Sequence, residues 1–442
     1  MRTIFGDWLS KAAVGFSLTA TMASSEVVTL SQAYDRLVES QIEYELIAQD
    51  LEISEHQVRQ ALGQRLPRVE LQVGYEHINQ TVVSSDNTAF ATGQSQFPKI
   101  SVTLRLEQPI FDASKFRALP LARAQNVVVQ FEAQQARNWV VRDFALAYFS
   151  AARAQLELKR AELIVRGRRE YEAVIAEEIA AGRREEDSLL AARGETLSAE
   201  GDVTFAEVDL LDALTGLQRY SGVDITGVSL SQAQIGSVDL VNLRSEFTAD
   251  RLNDMSLALA AAKARLEVAR RAEHRTKGEN LPRVDFSLAF EQQMTEGSLF
   301  GGGSNTRNMT AGVLFTVPIY EGGIKRARIK EARANIKAEE LRILQTERAL
   351  RARYDALMSA NAAAGERTTR VRRQLGLAAQ GVLAAEEKYR VGRAHERVVL
   401  EQKLRRDALR IDLNVAQLQQ VRIQAEIYAL FGALDLVAVA GG

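Results

Sequence analysis

The chain contains no cysteine, which excludes a disulfide framework, a thiolate metal site and a thiol nucleophile. Histidine is nearly as scarce. His56, His77, His274 and His395 stand far apart and lack metal-ligand spacing. No metal, no cofactor and no catalytic constellation are expected. Gly301-Gly302-Gly303 has no Lys-Ser/Thr after it and reads as a loop rather than a phosphate cradle, and no serine sits in a nucleophile elbow. Charge of one sign is also missing: 56 Lys+Arg stand against 57 Asp+Glu, a net charge of −1, so the electrostatic footprint of a nucleic-acid binder is absent. No run reaches about 18 consecutive apolar residues, so no transmembrane helix is expected.

Proline is the most telling shortage. The six prolines, Pro67, Pro98, Pro109, Pro120, Pro282 and Pro318, fall in two windows, 67–120 and 282–318. The rest of the chain is rich in Ala, Glu, Arg, Leu and Gln, a composition that reads as long helix or coiled coil. At the amino terminus, Arg2 and Lys11 precede the moderately apolar run Ala12 to Met22, and Thr21-Met22-Ala23 offers small residues for cleavage. Residues 1–23 are therefore expected to be a secretory signal peptide; a frayed amphipathic terminus is the alternative, but the run lacks helical spacing.

The sequence repeats. Leu66-Pro67-Arg68-Val69-Glu70 returns as Leu281-Pro282-Arg283-Val284-Asp285, an offset of 215. Gln108-Pro109-Ile110-Phe111-Asp112 returns as Val317-Pro318-Ile319-Tyr320-Glu321, an offset of 209, and Leu214-Thr215-Gly216 as Leu430-Phe431-Gly432, an offset of 216. Three matches in one order at nearly one spacing indicate two copies of a unit, 24–247 and 248–442.

Each copy holds a pair of alternating segments. Val69, Leu71, Val73 and Tyr75 oppose Glu70, Gln72 and Glu76, and Ile100, Val102, Leu104 and Leu106 oppose Ser101, Thr103, Arg105 and Glu107. The second copy repeats this with Val284, Phe286, Leu288 and Phe290, then with Met309, Ala311, Val313, Phe315 and Val317. Period two predicts strands at about 68–78, 99–109, 283–292 and 309–318, paired through the polar loops 79–96 and 295–308. Either these are hairpins of a soluble protein with one buried face, or they are membrane strands, which need about 9–11 residues with apolar side chains outward.

Helices are expected at about 31–64, 113–181 and 183–219 in the first copy, and at 250–278, 324–391 and 393–431 in the second. The proline-free runs 121–181 and 325–391 would extend roughly 90 and 100 Å. The shorter segments, taken in pairs, match one long helix in length, the geometry of long antiparallel hairpins. Ile329, Ile336, Ile343, Leu350 and Leu357 recur every seven residues, a spacing that supercoils a helix to the left. A hollow wall or a two-stranded soluble coiled coil fits that spacing equally well.

Two motifs follow the long helices. They are Glu178-Ile179-Ala180-Ala181-Gly182 with Asp187-Ser188-Leu189-Leu190, and Tyr389-Arg390-Val391-Gly392 with Val399-Leu400-Glu401-Gln402. Together with Gln108-Pro109-Ile110-Phe111-Asp112-Ala113-Ser114 and Pro318-Ile319-Tyr320-Glu321-Gly322-Gly323, they resemble the TolC-type outer-membrane efflux family over about 28–433. The resemblance implies a mainly α chain with a β-barrel part: a homotrimer with a 12-stranded barrel in outer-membrane lipid, continued by a periplasmic α-helical barrel. It implies a passive exit duct of a tripartite efflux or type I secretion system, opened at its periplasmic tip by an adaptor (membrane fusion protein) and an inner-membrane pump, with no enzymatic activity.

Strand chemistry supports part of this. Four strands cannot close, and each open edge in lipid leaves backbone groups unpaired at several kcal/mol each. An eight-stranded barrel from two copies is filled by side chains, whereas twelve strands from three leave a lumen.

Residue by residue, the resemblance makes Gly182 and Gly392 the tip turns, with Tyr389 and Arg393 beside them as adaptor-docking positions. Asp187 and Glu401 are gate candidates, and an ordinary solvated helix face is the competing reading. The family's tyrosine partner is an arginine where this chain has Ala394, so Arg393 or Arg397 stands in for it. Val398 and Ser188 occupy two further positions where the family often has carboxylates. Pro109, Phe111, Pro318 and Tyr320 mark the strand-to-helix junctions. Two other classes compete with a duct: a periplasmic coiled-coil adaptor, and a structural coiled-coil protein without a channel. If Glu401 belongs to a lumen-facing ring, Glu401→Ala raises single-channel conductance or removes divalent-cation block in planar bilayers, and unchanged recordings count against that role.

Overall fold

A computed structural model describes residues 26–40, 42–81, 83, 94–221, 224–229, 247–297 and 302–433. The leader expected at 1–23 and the centre of the loop at 79–96 lie outside the described residues. In chain order the described elements are β1 (Glu26–Val28), α1 (Leu30–Ser40), α2 (Ile42–Gly63), β2 (Arg68–Thr81), β3 (Gln94–Asp112), α3 (Ala113–Ala180), α4 (Asp187–Ser221), β4 (Ile225–Val228), α5 (Ala249–Met255), α6 (Leu257–Gly278), β5 (Arg283–Thr295), β6 (Ser304–Thr316), α7 (Ile324–Arg390) and α8 (Glu396–Leu430).

Two continuous helices set the dimensions. α3 has 68 residues and α7 has 67, each about 100 Å long. Near the sheet the lateral order is α2–α3–α6–α7; toward the far end it is α4–α3–α8–α7. Each long helix therefore spans two levels that the shorter helices share between them. The sheet is antiparallel with order β2-β3-β5-β6, so β2 and β6 are its free edges.

Midway along the helices, α1, β1 and β4 form a side unit. β1 and β4 pair in parallel, with Val28 opposite Val228. Val28, Leu30, Leu37, Phe144, Tyr148, Leu217 and Ile225 join one buried cluster. The Tyr148 hydroxyl donates to the Ser229 carbonyl at 2.8 Å, and burial pushes its pKa up. The cluster explains why the helix expected over 31–64 is two: α1 turns its apolar face into this cluster while α2 runs along α3. Strands of three and four residues are too short for a period to register in the sequence.

The other differences from expectation also have local causes. The helix expected over 250–278 breaks at Ser256, which is buried and whose Oγ caps α6 by accepting from the Leu259 N–H at 3.4 Å. Strands run further into the hairpin ends than alternation implied, β2 to Thr81, β3 from Gln94, β5 to Thr295 and β6 from Ser304. Residues such as Asn305, Thr306, Arg307 and Asn308 are polar on both faces, so hydropathy carries no period there although the backbone ladder continues.

The two strand-to-helix junctions differ. β3 passes directly into α3, where the Asp112 carboxylate accepts from the Ser114 and Lys115 N–H groups at 2.9 and 3.2 Å. β6 reaches α7 through residues 317–323, where Gly322 and Gly323 have φ of 57° and 83°. Pro109 does not end its ladder. It lies inside β3 at a bulge against β5, beyond Glu107, the last residue of β3 to pair with β2.

α3, as its expected span of 113–181 required, runs through a proline near its start. Pro120 has no N–H to give the Phe116 carbonyl one turn back. Arg65, in the turn after α2, supplies the missing donor: its Nη2 hydrogen-bonds the Phe116 carbonyl. Its guanidinium lies 5.2 Å from the centre of the Phe116 ring, and its own carbonyl accepts from Gln108 Nε2 at 2.9 Å. One residue, through its side chain and its carbonyl, thus ties α2, β3 and α3 together at the root of the sheet. Arg65→Met leaves that carbonyl without a partner and costs about 1–3 kcal/mol. In a Pro120→Ala background the helix provides its own donor, so thermal melts should show most of the Arg65 effect gone.

Candidate functional site

The sheet has two chemically distinct faces. On one, Val69, Leu106, Leu288 and Ala311 share a row, and Leu71, Leu104, Phe290 and Met309 share the next but one. Val69, Leu71, Val73 and Tyr75 are each 62–70% exposed in the isolated chain. They span about 20 Å along β2, close to the roughly 25 Å apolar band of an outer-membrane barrel. An exposed apolar face of that extent needs a cover.

The opposite face is polar and mostly charge-compensated. Arg105 lies 3.7 Å from Glu107, Lys99 3.2 Å from Glu76, and Arg68 3.4 Å from Glu70. Glu291, between Thr103 and Asn308 in neighbouring strands, has no ion pair among the described residues. At the foot of the sheet, Ile110 and Phe111 are exposed in β3, while Pro318 and Tyr320 lie in the 317–323 connection, with Tyr320 at 84% exposure.

About 100 Å away the helices turn. Gly182 and Gly392 have φ of 67° and 72°, left-handed conformations that glycine adopts at least cost. Each closes the same pattern. The Arg183 N–H donates to the Glu178 carbonyl at 2.9 Å and the Gly182 N–H to Ile179 at 2.8 Å; Arg393 to Lys388 and Gly392 to Tyr389 repeat it at 2.8 and 2.9 Å. The two turns sit at one end of the molecule and at nearly one level. Arg160 Nε lies 2.9 Å from the Asp412 carboxylate, 22 residues before Gly182 and 20 after Gly392.

Around the turns, Asp187 opens α4 and is exposed, in the first turn, where the helix N-terminus favours an anion. Glu401 is exposed on α8, its carboxylate 4.0 Å from Arg397. Tyr389 is 48% exposed, and neither it nor Arg393 makes a side-chain hydrogen bond or ion pair among the described residues. Arg390 pairs with Glu387 at 2.7 Å and lowers that carboxyl's pKa.

The candidate stand-in arginine goes elsewhere than to Tyr389. Arg397 reaches from α8 to α3, its Nη1 3.4 Å from the Tyr171 hydroxyl and its guanidinium 5.9 Å from the Tyr171 ring centre. The contact raises the Arg397 pKa. Below it, Gly167 makes room for the Leu404 side chain, which a Cβ would approach to 2.7 Å. Tyr171 was not singled out by sequence, because the contact joins residues 226 apart and Tyr171 lies in an unbroken helical run with no turn motif near it.

The lateral edges of the helical layer are unfilled. α4 packs on α3 through Ala192, Thr196, Ala199, Leu214 and Leu217, all buried. Its opposite face carries a second heptad, Leu190, Gly194, Leu197, Gly201, Val208 and Leu211, in which every leucine and the valine are at least 60% exposed. Ile42, Leu46 and Ile53 of α2, and Leu341, Leu344 and Leu377 of α7, are exposed likewise. The free sides of α2 and α4 lie on the β2 side of the molecule and that of α7 on the β6 side.

Comparison with known proteins comes to the same architecture. The sequence profile of one family, described as outer membrane efflux protein, matches residues 26–223 and 249–433. The outer membrane protein TolC of Escherichia coli (strain K12) is 25% identical over 340 residues, covering 73% of this chain. The chain spans 65% of the length of that relative. Among solved structures, a membrane protein from Pseudomonas aeruginosa superposes with a TM-score of 0.76 at 18% identity, covering 91% of this chain and 92% of that one. The Campylobacter jejuni CmeC outer membrane channel follows with a TM-score of 0.75 at 13% identity, covering 91% and 85%. At these identities the structures speak for the fold, a β-barrel wall continued by long helices.

The Arg397–Tyr171 contact is one tie between the two helical hairpins near the turns, beside the packing of Leu404 on Gly167. Arg397→Ala should speed amide exchange around both turns about fivefold, whereas Lys388→Ala, at an exposed position with no ion pair among the described residues, should leave it unchanged.

Proposed function

The chain belongs to the outer membrane efflux protein family, and on that premise we propose that it forms a passive exit duct across the outer membrane, with its helices extending into the periplasm. The observation that carries this reading is the four-stranded sheet whose apolar face is exposed and whose edges β2 and β6 are both unpaired among the described residues. Water could satisfy those edges, but water would leave the apolar face uncovered. Lipid covers the face and forbids the open edges. Both demands are met when copies of the chain close a ring.

Three copies bring twelve strands, enough to leave a lumen lined by the polar face with Arg105, Glu107 and Glu291. The helical layer closes in the same operation, because its free sides lie on the same flanks as the sheet edges. An adaptor or structural coiled coil has no use for an exposed apolar sheet face, which weighs against both alternatives.

In this reading the turns at Gly182 and Gly392 form the periplasmic mouth. Tyr389 and Arg393, exposed and without side-chain partners among the described residues, are available to a periplasmic adaptor, and an inner-membrane pump supplies the energy. Asp187 and Glu401, repeated three times near an axis, would attract cations and repel one another. The partial pairing of Glu401 with Arg397 tempers its share.

Extraction of the full chain from outer membranes tests the reading. A trimer that resists detergent until heated, and that conducts when inserted into planar bilayers, is the expected result. Recovery as a water-soluble periplasmic protein, or as a membrane monomer without conductance, would overturn it.

A further inference from the structure

We infer that the seam between copies of this chain is an acid-to-base seam, in which the α2/α4 side of one copy takes the α7 side of the next. The inference rests on the trimeric reading and names what joins its protomers. The helices at the two flanks carry opposite net charge. α4 has seven carboxylates against two arginines, and α2 five against one. α7 has sixteen Lys and Arg against eight carboxylates.

Internal pairing sharpens the contrast. On α4, Glu195 and Glu200 are taken by Arg168 and Arg169 of α3. Asp202, Glu207, Asp209 and Asp212 remain exposed with no ion pair among the described residues; Asp202, Asp209 and Asp212 line the open groove between α4 and α3, where Arg153 and Arg160 pair instead with Glu157 and Asp412. On α7 the balance is reversed. Six of its eight carboxylates are held by ion pairs within α7 or to Lys403, while Arg367, Arg372 and Arg373 are exposed with no ion pair among the described residues.

These groups also match in height. Asp202 to Asp212 lie 20–30 residues beyond the turn glycine Gly182, and Arg373 to Arg367 lie 19–25 residues before Gly392. The two glycines are level to within about a helical turn, so both sets stand roughly 30–45 Å above the mouth. Near the sheet the match recurs, with Glu55 eight residues before the end of α2 and Lys330 six after the start of α7.

The charges accompany the unfilled apolar positions. Asp209 and Asp212 share a face of α4 with Phe205 and Val208, at spacings of three, four and seven. On α7, Arg373 is one turn from Leu377, and Arg348 one turn from Leu344. Joining one side to its opposite buries apolar contacts between partly neutralised charge. Joining like sides sets carboxylate against carboxylate, or arginine against arginine. Head-to-tail closure is therefore favoured over a two-fold pairing of identical sides.

Charge exchange in the full chain tests this. Asp202→Lys, Asp209→Lys and Asp212→Lys together should raise the monomer fraction of the detergent-purified protein roughly tenfold or more at low salt. Arg367→Glu, Arg372→Glu and Arg373→Glu should do the same. Both effects should shrink as salt is added. All six changes in one chain restore complementarity with reversed polarity and should recover the trimer. All the residues exchanged are exposed, and unchanged helicity by circular dichroism verifies that each variant folds. Either triple variant assembling like the unmodified chain at low salt would overturn the seam, as would a six-fold variant that folds but stays monomeric. An unmodified chain that forms no trimer would overturn the exit-duct reading itself.

Discussion

The rest of the structure depends on the unpaired backbone of two strands. β2 and β6 each present a row of N–H and C=O groups with no strand partner among the described residues, and the sheet they bound has an apolar face that only lipid or protein can cover. In hydrocarbon each orphaned group costs several kcal/mol, far more than the few tenths at stake in a surface ion pair. Closure of the ring is thus imposed by the sheet, and the helical layer has to be compatible with it. This accounts for the flush alignment of sheet edges and unfilled helix sides on each flank. It also accounts for a root region that is stiffly built, where Arg65 repairs the break made by Pro120 and fixes α2, β3 and α3 relative to one another.

The helical layer follows different rules at its two ends. Near the sheet, α3 grows directly from β3 under the Asp112 cap, whereas α7 is reached through an exposed connection with two left-handed glycines. At the far end both hairpins end in the same glycine turn, but the charged residues around the turns differ. Asp187 opens α4 at the position that Arg397 occupies in the second hairpin, five residues beyond each turn glycine. One remains exposed at its helix N-terminus, and the other crosses to Tyr171. The duplicated halves therefore keep one backbone plan while their surfaces have taken separate roles.

Much of this was legible in the amino-acid order because the relevant periods are long and strict. Alternation at Val69 to Tyr75 and Val284 to Phe290, the repeated Leu-Pro-Arg motif, and proline-free runs of helix length located the hairpins and long helices. Legibility stopped where a feature has no period or depends on remote residues. The strand ends around Ser304 to Asn308 are polar on both faces. β1 and β4 are too short. Arg65 and Phe116, like Arg397 and Tyr171, meet only through tertiary packing. Net charge misled by averaging: a total of −1 concealed acidic helices α2 and α4 at one flank and a basic helix α7 at the other, a contrast with meaning only once the helices were placed in order.

Covalent capture of the sheet edges tests the central claim most directly, and the absence of native cysteine makes it clean. Single cysteines placed along β2, at positions such as Gln72, are paired with single cysteines along β6, at positions such as Asn308, in one chain. Oxidation is carried out in outer membranes. The account predicts a ladder of cross-linked species that ends at three copies, at a subset of pairings that defines one register between neighbouring copies. A ladder that stops at two copies, continues beyond three, or fails to form at every pairing would contradict closure of the sheet by three chains.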